Sequence, residues 1–463
     1  MEFAEYYAKK FRIIQEASPR DYAREFRQEL WPALLESSVR YHGEPVNFVY
    51  TPFMVTSKDW SYFKDFTEFF VEILKKITER YLMDSHFRRL FPYSEKMEKY
   101  ILIDPGYSGY FPVARFDILL DKNGEIKFCE LNSDGTSAMN EVRVMQNILA
   151  GSRAAALLRK EEGISFYGFE LFNSWINTIL EKYREFSGKK RVNPSIGIMD
   201  FKSDGVLSEF EVFKKYMENR GLEACIVDPR ELKYDGSTLK YKNRVIDLIY
   251  RRATTARLFE NFSEITPLFK GYRAGDICLC GSFRSQIIHN KAIFHMLAQP
   301  ENLDFLDSKE KKFLNRHILS TELLKHEHAE DRKIIENREK FILKPCDKFD
   351  GKGIRQGKNL NEDEWMGAVK KCSAKNYLLQ EFCQPRTIDL FTLPESSDEK
   401  PEYRAYNYTL GFYMYDGNLQ GLYNRAGRYD IISSEYECVT VPCFVTSPAQ
   451  TACKDLIEEV KYE

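Results

Sequence analysis

The spacing of apolar residues divides the chain into helical and extended stretches. In residues 63–77 apolar side chains recur every three or four positions, which is the period of an amphipathic helix, and we expect this stripe to lie in the core. Alternation of apolar and polar residues at 113–120 and 126–131 predicts two strands. Helical spacing returns at 140–158 and 169–186. The chain therefore begins with a mainly helical region and continues into a mixed one.

A strand, helix and strand pattern comes next, after a polar break. Apolar strands at residues 195–200 and 224–228 flank a helical stretch at 207–219, which is the order of a βαβ unit. A further apolar strand is predicted at residues 245–250. We therefore expect a small doubly wound α/β domain over residues of about 190–275. It lacks the G-x-G-x-x-G sequence, so the pattern does not indicate a dinucleotide site.

The last third of the chain combines strands with charged helices. Strands are predicted at residues 340–344 and 377–382, and a long one at 403–415. Asp416-Gly417-Asn418 then favours a tight turn into a strand at 419–424, which makes a β-hairpin. This region is predicted to be mixed α+β.

Composition and charge exclude several classes of protein. The 463 residues carry 68 Lys and Arg against 70 Asp and Glu, a formal net charge of −2, so no overall attraction to nucleic acid is expected. The 10 cysteines are irregularly spaced, which favours free thiols in a reducing cytoplasm over a structural zinc site. No apolar run reaches the roughly 18 residues of a membrane span, and the start lacks the apolar core of a signal peptide. The sequence predicts a cytoplasmic protein without nucleic-acid or membrane partners.

The two strands on either side of Asn123-Gly124 carry a group of polar side chains. Asn-Gly is a strong hairpin signal, because both residues tolerate positive φ. A turn centred there places Asp117 opposite Glu130 and Arg115 opposite Asn132, with the apolar side chains on the other face. Directly opposed carboxylates destabilise a sheet unless a cation lies between them.

Two interpretations fit this polar face. Carboxylate and amide oxygens are ligands that Mg²⁺ takes together with phosphate oxygens, which predicts a magnesium site. Alternatively, the strands face solvent and Arg115 forms salt bridges with both acids. The polar residues 133–137 that follow are either a functional loop or a cap for the next helix.

A lysine at the end of an apolar strand precedes a loop that contains glycine. Lys344 ends the strand, and Gly351 and Gly353 follow shortly afterwards. Glycine lets backbone N–H groups approach phosphate oxygens, and lysine supplies a positive charge without fixed geometry. The loop is not a Walker A sequence, and a plain turn would explain it equally well.

Two further segments have the residue types of a nucleotide site. Gln380-Glu381 ends an apolar strand whose backbone can serve adenine, with the carboxylate near the ribose. Asn290 is a plausible helix N-cap, and Lys291 follows in the first turn, where its charge opposes the helix dipole. That placement favours an anion-binding role for Lys291.

Taken in chain order, these motifs resemble the circularly permuted ATP-grasp ligases, and specifically the synthetase domain of glutathionylspermidine synthase. The resemblance spans residues of about 100–430 and rests on the order of Arg115-Phe-Asp117, Glu130-Leu-Asn132, the α/β unit, Asn290-Lys291, Lys344-Pro345 and Gln380-Glu381. It implies ATP and Mg²⁺ as cofactors. It implies that Asp117, Glu130 and Asn132 bind Mg²⁺ and that Arg115 contacts the transferred phosphate or acyl phosphate. It also implies that ATP phosphates are bound by Lys291, Lys344 and the loop of Gly351 and Gly353. Gln380-Glu381 would form the adenine hinge.

The resemblance also implies a fold and a reaction. The expected fold is a circularly permuted ATP-grasp fold of mixed α+β and α/β class with an inserted doubly wound, pre-ATP-grasp-like domain. The expected regions are a helical N-terminal region (residues 1–100), the metal-site hairpin with its helices (101–189), the α/β domain (190–289) and the ATP-binding part (290–463). The expected activity is that of an ATP-dependent ligase, which joins a small-molecule or peptide carboxylate to an amine through an acyl phosphate. The alternatives are an ATP-grasp kinase and a non-catalytic protein that binds a nucleotide or a peptide.

The sequence departs from the family's pattern in two places. The acidic residue after Glu-x-Asn is commonly followed by proline in the family, whereas Asp134 is followed by Gly135-Thr136. No Cys and His arrangement of an amidase is recognisable, so we predict no amidase activity. The motifs specify neither the substrates nor the oligomeric state. Further basic candidates are Arg251, Arg252 and Arg284, as partners of a carboxylate substrate, and Arg404 and Arg425, on late strands that could return to the active-site sheet. A structural or surface role is the alternative for each of them.

Overall fold

The computed structural model describes residues 5–41, 43–188, 193–348, 351–393, 400–433 and 437–448, which form a mixed α and β structure. Its helices are α1 (Glu5–Ala17), α2 (Pro19–Glu25), α3 (Trp31–Glu36), α4 (Ser57–Met83), α5 (Ser85–Arg88), α6 (Glu95–Ile101), α7 (Met139–Ala150), α8 (Arg153–Glu162), α9 (Phe172–Ser187), α10 (Leu207–Asn219), α11 (Thr255–Glu260), α12 (Thr266–Ala274), α13 (Gln286–His289), α14 (Ala292–Ala298), α15 (Ser308–His317), α16 (Arg332–Glu336) and α17 (Glu362–Ser373). A π-helical turn, Phe26–Leu30, joins α2 to α3.

The strands are β1 (Arg40–Tyr41), β2 (Glu44–Pro45), β3 (Phe53–Thr56), β4 (Val113–Leu120), β5 (Ile126–Asn132), β6 (Ile164–Tyr167), β7 (Ser195–Met199), β8 (Glu223–Val227), β9 (Leu232–Tyr234), β10 (Leu239–Tyr241), β11 (Arg244–Ile246), β12 (Leu248–Arg251), β13 (Cys278–Cys280), β14 (Thr321–Leu323), β15 (Phe341–Pro345), β16 (Arg355–Gln356), β17 (Tyr377–Glu381), β18 (Thr387–Thr392), β19 (Glu402–Tyr415), β20 (Asn418–Gly427), β21 (Cys438–Val441) and β22 (Cys443–Pro448). No helix among the described residues is both long and apolar enough to cross a membrane.

The apolar stripe predicted at residues 63–77 lies in the long helix α4. This helix begins with a capping box in which Thr56 and Asp59 bond each other's backbone N–H groups. The stripe packs on the strands of the central sheet, and the rings of Phe70 and Phe128 stack with centroids 3.9 Å apart. Phe69 is the exception, because 37% of its surface is exposed. The predicted core role is confirmed for the rest of the stripe.

The central sheet is antiparallel, with the order β21-β20-β19-β4-β5, and β18 also pairs with β19. The predicted hairpin of β19 and β20 is confirmed. Its turn has positive φ at Asp416 and Gly417, the conformation that Asp-Gly turns adopt most readily. One face of the sheet packs on α4, so the polar side chains of β4 and β5 are left on the other face.

A second sheet is parallel, with the order β13-β12-β7-β8. It contains the predicted βαβ unit as β7, α10 and β8. The strand predicted at residues 245–250 is divided in two, because Asp247 between β11 and β12 turns to accept a hydrogen bond from the Ser195 N–H at 2.8 Å. β12 joins the parallel sheet, whereas β11 belongs to a small antiparallel sheet with β9 and β10.

A third sheet is antiparallel, with the order β14-β17-β15-β16, and α17 covers it with the buried Trp365. The N-terminal region contains β1, β2 and β3 as well as its predicted helices, and β3 pairs in parallel with β22 near the other end of the chain. The helical stretch predicted at residues 140–158 is interrupted after Ala150. A new helix starts there because the Ser152 hydroxyl accepts a hydrogen bond from the Ala155 N–H.

Candidate active site

The hairpin of β4 and β5 brings together the polar side chains that the sequence indicated. Asp117 lies opposite Glu130 and Arg115 lies opposite Asn132, as predicted. The apolar side chains of β4, such as the fully buried Phe116, point to the opposite face. The sequence therefore predicted this part of the geometry correctly.

The turn of the hairpin differs from the prediction. Strand pairing stops before Asp121, so the loop is longer than the two residues Asn123-Gly124. The Asp121 carboxylate accepts hydrogen bonds from the N–H groups of Asn123 and Glu125 and stabilises this longer loop. A bulge at Cys129 then adds one residue to β5, which restores the predicted register farther along the hairpin.

Asp117 is neutralised by two arginines. Arg115 forms a bidentate pair with it, with Nε–Oδ1 and Nη2–Oδ2 distances of 2.6 and 3.1 Å. Arg425 Nη2 is 3.4 Å from Asp117 Oδ2, and Asn132 Nδ2 donates to the same oxygen at 3.2 Å. Burial opposes the charge on Arg115, but Asp117 outweighs it and raises the pKa of Arg115. Within the described residues Arg115 forms no ion pair with Glu130, contrary to the solvent-facing interpretation.

Glu130 is paired with Lys291 instead. The Lys291 ammonium also donates to the carbonyl oxygen of Lys348 at 2.6 Å. Burial disfavours the charged carboxylate, but Lys291 outweighs it and holds the pKa of Glu130 below its usual range. Burial likewise opposes the charge on Lys291, whose pKa is nevertheless raised by Glu130. The opposed carboxylates are thus balanced by separate cations of the protein rather than by one shared ion.

Lys291 is the N-cap residue of α14, whereas the sequence predicted Asn290 in that position and Lys291 in the first helical turn. Asn290 therefore lies one residue before the N-cap, and its side-chain oxygen accepts a hydrogen bond from the Ala292 N–H at 3.0 Å. The backbone N–H of Lys291 donates to the Cys346 carbonyl at 2.9 Å. This bond holds the start of α14 against the chain that follows β15.

Lys344 lies in β15 and has no such acidic partner among the residues that the structure describes. Only 8% of its surface is exposed. Its Nζ is 3.7 Å from Cys129 Sγ, and no oxygen acceptor contacts it within the described residues. Burying an ammonium group without an acceptor is costly. The position of Lys344 therefore suits an anion that the described residues do not provide.

A cavity lies between the central sheet and the β14–β17 sheet, and we refer to it as the first cavity. The predicted site residues that line it are Asp117, Glu130, Lys291, Lys344, Gly351, Gln380 and Glu381. Apolar side chains, including Leu119, Leu319 and Ile342, complete its walls. The structure thus brings together side chains suited to phosphate and surfaces suited to an apolar ring.

The predicted adenine hinge lines this cavity, but part of its backbone is already used. The N–H of Glu381 donates to the Ser320 carbonyl at 2.8 Å, and the N–H of Phe382 donates to the Lys340 carbonyl at 2.7 Å. A backbone donor to a bound base must therefore lie outside these two residues.

The two glycines of the predicted phosphate loop have different surroundings. Both have positive φ, +69° at Gly351 and +82° at Gly353. A Cβ on Gly351 would lie 3.1 Å from Ile431, so the loop passes close to the segment after β20. Gly353 lines neither this cavity nor the one described next, and its carbonyl accepts a hydrogen bond from the Tyr377 hydroxyl at 3.2 Å.

A second cavity meets the first at Glu130 and Arg425, which line both. It is larger, with a volume of about 440 Å³ against about 120 Å³. Its walls include Arg115 and Asn132 of the hairpin, residues 134–138, parts of the β1 and β2 hairpin, and the edge of the parallel sheet. The hairpin therefore separates two cavities.

The parallel sheet contributes the point at which its strand order reverses. The chain moves from β7 outward to β8, and β12 then lies on the other side of β7. Open α/β sheets bind ligands in the crevice at this point, beyond the carboxyl ends of the strands. Asp200 directly follows β7, Arg252 directly follows β12, and both line the second cavity. Burial raises the pKa of Asp200 to about 6.

The loop after the hairpin is fixed to the same sheet. Asp134 forms a fully buried ion pair with Arg251 at the end of β12. Gly135 has a φ of +84°, and a Cβ there would collide with the Arg252 carbonyl oxygen at 2.0 Å. The glycine that departs from the family's pattern is therefore required by this close approach.

The remaining candidate arginines separate into two groups. Arg252 lines the second cavity and pairs with Glu209 at 3.1 Å, and Arg425 reaches Asp117 as described. Arg284 and Arg404 line neither cavity, and the nearest carboxylate to Arg404 is Glu402 on its own strand.

Sequence reasoning missed Asp200 and Cys129. The end of a strand in the doubly wound domain was the signal for Asp200, whereas the bulge that turns Cys129 toward the first cavity leaves no signal.

Comparison with solved structures identifies the fold. The chain is similar to a glutathione synthetase-like effector from Globodera pallida, solved in its apo form, with a TM-score of 0.58 and 12% sequence identity. The match covers 92% of this chain and 98% of that chain. At this identity the likeness shows a shared fold and does not define the activity. No protein-family model and no curated protein matches the chain.

Proposed function

We propose that the protein is a circularly permuted ATP-grasp enzyme that uses ATP and Mg²⁺ to activate a carboxylate and join it to an amine. The observation that carries the proposal is Lys344, a buried ammonium group without an oxygen partner among the described residues, in a cavity between two sheets. Phosphate oxygens are suitable partners for such a group. The glutathione synthetase-like fold and the order of the motifs along the chain support the same assignment.

The first cavity would hold ATP. Lys291 and Lys344 would bind its phosphates, and the base would lie toward Gln380-Glu381 among the apolar side chains. If Glu130 held a metal ion, the Lys291 ammonium that now pairs with it would be available to the phosphates.

In this proposal the hairpin would hold a magnesium ion only together with phosphate. The described residues contain no group of three or more His, Cys, Asp or Glu side chains that could hold a metal. Asp117, Glu130 and Asn132 offer two carboxylates and an amide oxygen, and Mg²⁺ usually takes its other ligands from phosphate and water. Bound Mg²⁺ would neutralise charge on the transferred phosphoryl group.

The second cavity would hold the carboxylate and the amine. In the proposed reaction the carboxylate attacks the γ-phosphate, which gives ADP and an acyl phosphate, and the amine then displaces phosphate to form an amide. Arg115 and Arg425 share the single carboxylate of Asp117, so one positive charge is left where the cavities meet. That charge would stabilise the negative charge that develops during transfer.

The test is release of ADP in the presence of pooled carboxylates and amines, with wild type compared with Asp117→Ala. We expect ADP, phosphate and an amide product from the wild type only. A phosphorylated acceptor without amide would indicate the kinase. Nucleotide binding without ADP in any pool would indicate a binding protein. Full ATP-dependent activity in Asp117→Ala would overturn the assignment of the metal site.

A further inference from the structure

The described cysteines are either buried or partly exposed, and two of the partly exposed ones lie in the first cavity. Cys280 and Cys346 represent the buried group, in which burial raises the pKa of each thiol to about 12. Such thiols react slowly because the thiolate is the nucleophile. Cys129 and Cys383 differ from them, because both are partly exposed and both line the first cavity.

Cys129 lines the cavity because it is the bulge residue of β5. In a regular strand, side chains alternate between faces, so a residue next to Glu130 would point into the core. The bulge breaks this alternation. Cys129 and Glu130 consequently both line the cavity, while Phe128 remains fully buried on the core face.

Lys344 distinguishes Cys129 from the other thiol in the cavity. The Lys344 side chain is nine-tenths buried, and its ammonium lies 3.7 Å from Cys129 Sγ. This ammonium has no carboxylate partner within the described residues. An adjacent ammonium stabilises the negative charge that a sulfur carries when it reacts. Cys383 Sγ instead lies 3.9 Å from the Gln384 carbonyl oxygen, and burial raises its pKa to about 11.

We propose that Cys129 is a thiol-modification site inside the first cavity, where reaction with a small disulfide or another soft electrophile blocks the nucleotide. With a disulfide, Cys129 loses its proton to solvent and its sulfur attacks one of the two disulfide sulfurs. A new S–S bond joins Cys129 to that half, and the other half leaves as a thiolate. The attached group occupies the space beside Lys344, and an added thiol removes it. The block rests on the proposed nucleotide site, whereas the reactivity of Cys129 does not.

The experiment measures alkylation of each cysteine in the whole protein, with iodoacetamide as the probe and peptide mass spectrometry as the readout. We expect Cys129 to react about 10-fold faster than Cys383 or Cys225. Lys344→Gln should slow the reaction at Cys129 and leave the rate at Cys225 unchanged. Equal rates at Cys129 and Cys383 in the wild type, or no effect of Lys344→Gln, would overturn the proposal.

Repeating the reaction with Mg-ATP separates the thiol from the nucleotide assignment. We expect Mg-ATP to slow alkylation of Cys129 at least about 10-fold, because the nucleotide and the sulfur share the Lys344 ammonium. Rapid, Lys344-dependent alkylation without protection would support the reactive thiol and overturn the nucleotide site. Slow alkylation of a protein that binds Mg-ATP would overturn the thiol proposal alone.

Matched variants test the block itself, each compared with its own untreated protein. After treatment with hydroxyethyl disulfide, wild type and Cys383→Ser should lose nucleotide binding, and dithiothreitol should restore it. Cys129→Ser should keep whatever nucleotide binding it had before treatment. Equal loss in Cys129→Ser would place the inhibitory modification elsewhere and overturn the proposal.

Discussion

The two cavities that meet at the hairpin differ in how their charges are balanced. In the first, the buried Lys344 has no acidic partner among the described residues. In the second, Arg252 pairs with Glu209 and Arg257 pairs with Asp204, at 3.1 and 2.6 Å. Under the proposed function, the unbalanced ammonium in the first cavity binds a strong anion. The second suits ligands whose charges offset one another, as those of a carboxylate and an amine do.

The largest effect is expected at Asp117, because the hairpin serves both cavities. Asp117→Ala removes one proposed metal ligand and leaves Arg115 and Arg425 without their shared carboxylate. We expect the rate of ADP formation to fall about 1,000-fold. The measurement is steady-state release of ADP with a productive pair of substrates.

The matched control is Asp389→Ala. This aspartate lies on β18 of the same sheet, with its side chain 55% exposed, and pairs with Arg12 at the surface. Its rate should stay within about 2-fold of wild type, since exposed ion pairs contribute little. Equal losses in both variants would mean that the sheet, rather than the Asp117 site, had been damaged.

The next largest effect distinguishes the two lysines of the first cavity. Lys291→Met should lower the free energy of unfolding by about 3 kcal/mol, because it leaves the Glu130 carboxylate buried without its partner. Lys344→Met should leave this free energy unchanged or raise it, since Lys344 has no carboxylate partner to lose within the described part of the chain. Urea unfolding without nucleotide measures both, and equal destabilisation of the two variants would contradict the proposed difference.

The sequence predicted the pairing of the hairpin better than it predicted the turn. Asp117 faces Glu130 because a longer loop and a bulge offset each other, and neither can be read from Asn123-Gly124. The loop depends on the Asp121 carboxylate, whose hydrogen bonds compete with a two-residue turn. The bulge depends on packing that only the folded sheet provides.

The second cavity was largely out of reach of sequence reasoning. Its walls come from segments far apart in the chain, including the β1 hairpin, the loop at residues 134–138 and the ends of β7 and β12. Motif spacing reports residues that are neighbours along a strand or loop. The first cavity was more accessible, because Asp117, Glu130 and Lys344 lie in strands that the apolar pattern predicts, and Lys291 lies at the start of a predicted helix.

A smaller effect is expected from pH. Burial disfavours the Glu130 carboxylate, but the Lys291 ammonium outweighs this effect and holds the pKa of Glu130 below its usual range. The folded state therefore keeps this carboxylate ionised at lower pH than the unfolded state does. Its stabilising contribution is complete above the pKa of the unfolded chain and is lost as pH falls through the folded pKa. Wild type should exceed Glu130→Gln by about 2 kcal/mol in free energy of unfolding at neutral pH.

The measurement is urea unfolding of both proteins at several pH values. The difference between them should remain constant from neutral pH down to about pH 5 and then shrink as the medium becomes more acidic. A difference that instead grows on acidification would show that the ion pair does not hold the Glu130 carboxylate ionised.

The smallest effect is expected at the edge of the second cavity. Arg257 lines this cavity with its side chain 38% exposed, and it pairs with Asp204. Arg257→Ala should change the free energy of unfolding by less than about 1 kcal/mol and leave nucleotide affinity unchanged. Titration with Mg-ATP measures that affinity. A several-fold loss would show that the second cavity also takes part in nucleotide binding.

The most direct test of the nucleotide site is calorimetric titration with a non-hydrolysable ATP analogue and Mg²⁺. Wild type, Lys344→Met and the control Lys333→Met, on the exposed surface of α16, would be compared. We predict one-to-one binding to wild type and the control, and binding at least about 30-fold weaker in Lys344→Met, which corresponds to about 2 kcal/mol. Absence of binding to wild type, or equal affinity in all three proteins, would contradict the account.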